Sequence, residues 1–354
     1  MPSRSQLDIL DADFERAGLT RSRRAKTLHI RPKEQKEAVA PEELARPAGQ
    51  VRRAANGAGW LPVPGWDFDW LWSGFSTRLG GVSRAYCGDG SEAELNLGFT
   101  AADDPAVVLA NRRRLSEALT GSATSPLVTI RQFHSNLVLH AGLADASRDR
   151  PPGADGLMTD VPGVLLTVQV ADCIPVLVAD RRRRVVAAFH AGWRGTAKRI
   201  VETGVGRMRL EFGSRPADLV AAIGPGVGPC CYAVGEEVIS EFTSQFIYAP
   251  DLFREVYDEE PVQRKYPMLF LTRRAPGHSP IGPQIHLDLV EANRRQLLDA
   301  GVKAGFIRIA GGCTSCHPEL FYSHRASRGH AGRMMGVIGI RKAERRGCKS
   351  TAVG

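Results

Sequence analysis

Between Val161 and Ala179 the chain is broadly apolar, broken at Gln169, Asp172 and Pro175. After the charged turn Asp180-Arg-Arg-Arg-Arg184 a further apolar run follows, Val185 to Phe189. A membrane helix needs roughly 18 to 20 unbroken apolar residues, so these breaks make the stretch a buried core rather than a span. Three strands are predicted, over Val164–Val170, Ile174–Val178 and Val185–Phe189, with the last two paired as a hairpin. A chain of 354 residues, 43% of them apolar, can bury about three quarters of its unfolded surface and needs no disulfide or metal to fold.

Weaker signals fill in the frame. Strands are predicted over 72–77, 127–130, 219–223, 306–310 and 334–340. Helices are predicted over Asp104–Leu119, with Pro105 in its first turn, over Gly195–Phe212 and over Leu287–Ala300. Hairpins mixed with helices predict an α/β fold with a mixed sheet, in a single domain. Residues 243–283 read as a long surface excursion. Residues 1–56 show no sustained apolar period and read as a disordered, flexible basic arm, with at most one short helix over Asp8–Leu19. The cluster Trp60, Trp66, Trp70 and Trp72 marks entry into a folded body over 57–341, and 342–354 read as a basic tail.

The net charge of +9 lies in these tails. Residues 1–56 hold 12 basic and 8 acidic residues, and 341–354 hold 5 and 1, which leaves the body nearly neutral. That distribution argues against a specific nucleic-acid partner. No secretion signal opens the chain, and its seven cysteines are an odd number. A cytoplasmic protein with reduced thiols, not associated with a membrane, is the expectation.

Three segments place metal-type side chains at strand ends: Gln132-Phe-His-Ser135, Ala171-Asp-Cys-Ile-Pro175 and Phe189-His-Ala-Gly-Trp-Arg-Gly195. The predicted hairpin makes Cys173 and His190 neighbours, and His134 needs only an adjacent strand to join them. Two imidazoles and a thiolate suit Zn²⁺ and leave a fourth position open. The plain alternative is a buried apolar Cys173 and locally hydrogen-bonded histidines. Arg194, near a helix start, and Arg78, at the Gly80-Gly81 turn, are candidate phosphate ligands. Cys313-x-x-Cys316 is half of a metal site, and Cys230-Cys231 is adjacent rather than spaced, so structural thiols are expected there. His317, His324 and His330 are candidate proton donors.

Taken together, the motifs resemble the YfiH or laccase-domain family, also called the multicopper polyphenol oxidase family. They include Ser76-Thr-Arg-Leu-Gly-Gly-Val-Ser83, Leu95-Asn-Leu-Gly98, Gln132-Phe-His134, Ala154-Asp-Gly156 and Ala171-Asp-Cys-Ile-Pro-Val176. His190-Ala-Gly-Trp-Arg-Gly195, Ile223-Gly-Pro225, Cys230-Cys-Tyr232, Ala292-Asn-Arg294 and Cys313-Thr-Ser-Cys316 continue the series. The resemblance implies a YfiH-like α/β domain with His134, Cys173 and His190 as zinc ligands. It also implies a purine nucleoside enzyme: phosphorolysis of adenosine, inosine, guanosine or methylthioadenosine, and adenosine deamination. Phe133 stands where the family usually has Val, and His317 where it often has Asp.

On that reading Arg78 and Arg194 bind phosphate and Asn96 hydrogen-bonds the nucleoside. Asp172 reaches the reacting centre only if the strand breaks beside it, a break expected at Pro175. A Glu beside the first ligand, as in zinc deaminases, is absent. Copper-dependent phenol oxidation needs about ten histidines, many in H-x-H pairs; this chain has nine and no such pair. The remaining rivals are a hydrolase with Cys173 as nucleophile and His190 as base, and a non-catalytic protein docking through its basic tails. The expected assembly is a monomer or homodimer.

Overall fold

The computed structural model describes residues 49–88, 91–148, 150–256 and 284–342. The chain divides into a unit over Met1–Ala38, outside those residues, and a unit over Val39–Gly354 that holds them all. Its strands are β1 (Arg52–Arg53), β2 (Gly59–Leu61), β3 (Leu71–Ser76), β4 (Leu79–Ser83), β5 (Leu127–Val128), β6 (Val138–His140), β7 (Gly156–Thr159) and β8 (Leu165–Val170). They continue with β9 (Ile174–Asp180), β10 (Val186–Ala191), β11 (Leu219–Ile223), β12 (Phe253–Val256), β13 (Gln284–Leu287), β14 (Ile307–Ile309) and β15 (Met334–Ile340). The α-helices are α1 (Pro105–Thr120), α2 (Trp193–Ala197), α3 (Ile200–Phe212), α4 (Glu236–Gln245) and α5 (Leu289–Asp299).

Two six-stranded mixed sheets result, ordered β1-β2-β3-β15-β8-β5 and β14-β11-β9-β10-β7-β6, with β12-β13 as a small pair. Side-chain alternation in β9 shows why its sequence is apolar throughout. Leu177 and Ala179 point to the core shared with Phe75, Leu166 and Ile338 of the first sheet. Val176 and Val178 point to the opposite face, against Val201 and Val205 of α3 and Ala292 of α5. A strand buried on both faces has no polar side to show. The first sheet's outer face, through Leu165, Met335 and Val337, packs on Leu115 of α1. Layers of helix, sheet, sheet and helix follow. Among the described residues no helix is long and apolar enough to cross a membrane.

The strand-rich centre agrees with expectation, and three details differ. β8 and β9 do not share a sheet: the three residues between them turn the chain from the first sheet into the second. The helix expected over Gly195–Phe212 is two helices, because Arg199 sits in the left-handed region at φ 60°. The body also begins before residue 57. Arg52 and Arg53 pair with Trp60 and Gly59, and Asn56 donates to the Arg114 carbonyl at 2.9 Å and to Glu117 at 2.8 Å. A two-residue edge strand and one asparagine carry no periodic signal, so composition alone placed the boundary too late. The expected helix over Asp8–Leu19, the arm as far as residue 48, and the tail from 343 lie outside the described residues. Most of the 243–283 excursion lies outside them too; its start holds the end of α4 and the strand β12.

Candidate metal and substrate site

The site forms where the two sheets meet. After β8, the chain turns through Ala171, Asp172 and Cys173, with Asp172 at φ 85°. A non-glycine residue in that region carries strain that its surroundings must hold. Asp172 is held on three sides. Its carboxylate accepts from the Thr314 hydroxyl at 2.6 Å and the Arg325 N–H at 2.7 Å, and its carbonyl accepts from the Val227 N–H at 2.8 Å. The strand break lies at Asp172 itself rather than at Pro175, and the carboxylate is committed to fixing the corner. Both Asp172 carboxylate oxygens thus accept a hydrogen bond from the loops that pack on the corner.

The β9–β10 hairpin sets His190 opposite Pro175, two residues from Cys173, as the sequence pattern implies. His134 arrives from the segment after β5, itself at φ 62°. Its Nε2 lies 3.8 Å from the Cys173 Sγ, and its ring centroid lies 5.0 Å from that of His190. Ligand atoms of His134, Cys173 and His190 all fall within 4.8 Å of one another. A tetrahedral zinc separates a nitrogen and a sulfur ligand by about 3.6 Å, so this donor set fits that ion.

Asp155, overlooked as a site residue, organises the group. It is fully buried at the start of the segment leading into β7. Its carboxylate accepts from His190 Nδ1 at 2.9 Å, the His134 N–H at 3.0 Å, and the Ser135 N–H and hydroxyl at 2.7 Å each. Fixing His190 Nδ1 turns Nε2 toward the site, the carboxylate–histidine arrangement that orients a metal ligand. The Ala154-Asp-Gly156 motif was the one available signal. Burial alone raises the Asp155 carboxyl, but hydrogen bonds from His190 and Ser135 hold it well below the ordinary carboxylate range.

Without a metal, the same closeness creates a charge pair. Burial raises the Cys173 thiol, yet the His190 charge and hydrogen bonds to His134 and His190 bring it down to about 6. Burial lowers His190, while the Cys173 thiolate and Asp155 bring it up to about 9.

Gly192 closes the site from below. A Cβ there would lie 2.7 Å from His134 Cδ2 and 2.8 Å from Cys173 Sγ. Its φ of −71° suits any residue, so the constraint is contact with two ligand side chains and not backbone conformation. Gly192→Ala is expected to abolish metal retention while shifting the melting temperature by only a few degrees. Elemental analysis beside a thermal melt checks this, and an alanine variant that keeps its metal would contradict the placement.

A cavity of about 420 Å³ opens over the three ligands and is lined also by Arg131, Gln132, Gln169, His324 and Arg333. That volume lies in the roughly 300–1,000 Å³ range of small-molecule pockets. The Gln132 side chain grips the Gln169 backbone, its Oε1 accepting from the Gln169 N–H at 2.7 Å and its Nε2 donating to the Gln169 carbonyl at 2.8 Å.

Three sequence candidates lie outside the lining. Arg78 pairs with Glu94 and stacks over Tyr322. Arg194 points outward, stacked on Trp193 and 3.4 Å from Glu237. Asn96 is fully buried; its carbonyl oxygen accepts from the Arg333 N–H at 2.8 Å and its amide donates to Asp103 at 2.7 Å. Asn96 thus holds the backbone of Arg333 rather than facing the cavity. Glycine turns near a cation signal an anion site only when the cation is unpaired, and sequence could not show that Glu94 and Glu237 face these arginines. The cavity takes its cations from Arg131 and Arg333, and neither forms an ion pair with a described residue. His317 contacts Glu319 at 3.0 Å and His330 the Ala85 carbonyl at 3.3 Å; of the three histidines considered, only His324 lines the cavity. Among the described residues one other metal-capable group exists, Cys230, Cys231, Cys313 and Cys316, and it contains no histidine.

Comparison with known proteins places this architecture. A purine nucleoside phosphorylase YlmD of Geobacillus stearothermophilus is 36% identical over 293 residues, covering 80% of this chain and 95% of that protein. A purine nucleoside phosphorylase of Deinococcus radiodurans is 37% identical over 273 residues, covering 76% and 89%. The crystal structure of the Bacillus licheniformis hypothetical protein YfiH superposes with a TM-score of 0.67 at 31% identity, covering 82% of this chain and 99% of that one. Residues 72–341 match the family model described as multi-copper polyphenol oxidoreductase laccase. With that match over most of its length, and with the two-sheet fold around the His134–Cys173–His190 corner, the chain belongs to the multi-copper polyphenol oxidoreductase laccase, or YfiH, family.

Proposed function

We propose that this chain is a zinc-dependent purine nucleoside phosphorylase that also deaminates adenosine. The observation that carries the reading is the cavity itself, which combines a three-donor metal set with two arginines that pair with no described carboxylate. The names of the relatives support it. His134, Cys173 and His190 would hold the zinc, which supplies Lewis-acid polarisation of an oxygen at neutral pH. Copper in a four-ion oxidase cluster finds no support, since His134 and His190 are the only histidines in a metal-capable group among the described residues.

In phosphorolysis a phosphate oxygen bonds to ribose C1′ as the C1′–N9 bond breaks, and its electron pair leaves with the purine. The products are the base, protonated at a ring nitrogen, and ribose 1-phosphate. Arg131 and Arg333 bind the phosphate through guanidinium forks suited to its oxygens. Asn96 keeps the backbone of Arg333 in register for this. His324, at the cavity wall, delivers the proton to the departing base. Adenosine, inosine, guanosine and methylthioadenosine share the reacting C1′–N9 bond and are all substrates on this reading. In deamination water displaces the C6 amino group as ammonia in the same cavity.

One observation favours a second reading: Cys173, His190 and Asp155 also form a thiolate–imidazolium–carboxylate series in the metal-free chain, the arrangement of a cysteine hydrolase. Phosphate dependence separates the two. Arg131→Ala and Arg333→Ala each remove a charge-assisted contact worth about 1.5–3 kcal/mol, roughly 10- to 100-fold. Phosphorolysis at limiting phosphate is expected to fall by that factor, with adenosine deamination changed much less. A phosphate titration followed by base release measures it; equal losses in both reactions would remove the two arginines from phosphate binding.

A further inference from the structure

We propose that Cys230, Cys231, Cys313 and Cys316 form a second zinc site, separate from the cavity and structural in role. The four sulfurs lie within 4.8 Å of one another. Cys316 Sγ is 3.5 Å from Cys230 Sγ and 3.4 Å from Cys231 Sγ. Four thiolates around one zinc at a bond length near 2.3 Å stand about 3.8 Å apart, so these separations are close to those the ion demands. None of the four is in a disulfide. A fully sulfur, four-donor set selects zinc or iron over harder ions. With all four positions filled by protein, no place remains for water or substrate, which marks a structural centre.

The surroundings suit anionic sulfur. The Gly228 N–H donates to Cys313 Sγ at 3.2 Å, as outer donors do for metal-bound thiolates. The turn carrying Cys230 and Cys231 is closed by the Cys231 and Tyr232 N–H groups donating to the Gly228 carbonyl, each at 3.0 Å. It is buttressed by buried His286, whose Nδ1 bonds the Pro229 carbonyl at 2.8 Å. Cys313 is brought alongside by a backbone bridge to Gly226 and by the Thr314 N–H donating to the Gly226 carbonyl at 2.9 Å. The adjacent pair and the Cys-x-x-Cys pair thus complete one another, where sequence alone shows only a half-site and an adjacent pair.

Both segments tied by this centre also hold the metal-bearing corner. Val227 donates to the Asp172 carbonyl and Thr314 to its carboxylate, and Asp172 is the strained residue beside Cys173. A zinc ion at the four cysteines therefore clamps the loops that aim Cys173, without itself touching substrate.

Zinc counting in the full chain tests this independently of any catalytic activity. Wild type is expected to hold two zinc ions per chain, Cys173→Ala one, Cys313→Ser/Cys316→Ser one, and the triple variant none. A thiol reagent should find five thiols protected in native wild type and four in Cys173→Ala until a chelator removes zinc, a readout that survives if the double variant fails to fold. Cobalt loaded into Cys173→Ala should give the intense sulfur charge-transfer bands of a four-thiolate centre. One zinc in wild type and none in Cys173→Ala would overturn the proposal. So would iron in place of zinc in Cys173→Ala, or a disulfide among the four cysteines in protein purified under reducing conditions.

Discussion

Cys173→Ala is expected to lose the cavity metal and to lower nucleoside turnover on the order of 10³-fold, with little change in melting temperature. Sulfur is the softest of the three donors and the one brought to the site by the strained corner. Lewis-acid stabilisation of several kcal/mol, about 4, corresponds to that factor. The fold tolerates the change because serine- or alanine-sized side chains fit where a thiol sat, and the β9 core residues are untouched. His190→Ala should abolish turnover equally but also destabilise, because it leaves the Asp155 carboxylate buried beside an empty space. Steady-state rates and thermal melts on both variants check the contrast.

Asp155→Asn is expected to weaken metal binding by about 10- to 100-fold, the usual effect of losing a carboxylate behind a ligating histidine. Asparagine retains one acceptor oxygen but presents an amide N–H to groups that are themselves donors: the His134 and Ser135 N–H groups and the Ser135 hydroxyl. Loss of the buried charge partner of His190 costs about 3–5 kcal/mol. The pH dependence has a definite sign. A carboxyl depressed in the folded state stabilises fully above its unfolded value, near 3.9, and loses that contribution as pH falls toward the folded value. Wild type should therefore lose stability as pH drops below about 4 in part through Asp155, and Asp155→Asn should be flatter over the same window. Zinc titrations and denaturation across pH 2–7 report both effects; unchanged metal affinity in the variant would show that Asp155 does not orient His190.

Much of this architecture is legible in the sequence because burial leaves a pattern. β9 and β10 read as apolar runs with a charged turn between them, and the structure pairs them as a hairpin. The helix α1 carries its own boundaries: Asp104 accepts from the Ala106 N–H, and Gly121 ends it at φ 79°. What is local to a few residues is illegible. The corner at Asp172 and the break at Arg199 both depend on positive φ at non-glycine residues, which sequence does not favour and tertiary contacts impose. Asp155 escapes notice because a single buried carboxylate has no period, only partners. The four cysteines escape for a different reason. Cys230 and Cys316 stand 86 residues apart, and their meeting follows from how the segments after β11 and β14 lie together, those two strands pairing in parallel. The arginines fail in the opposite direction: Arg78 and Arg194 sit in suggestive sequence surroundings, and Glu94 and Glu237 claim them.

The most direct test of the account is chromatography of adenosine incubated with the purified, zinc-loaded chain, with and without inorganic phosphate. Adenine should appear only when phosphate is present, with ribose 1-phosphate equal to the sum of adenine and hypoxanthine, while inosine forms in both samples. Adenine released equally without phosphate, or no adenine in either sample, would contradict the assignment of this cavity to nucleoside phosphorolysis.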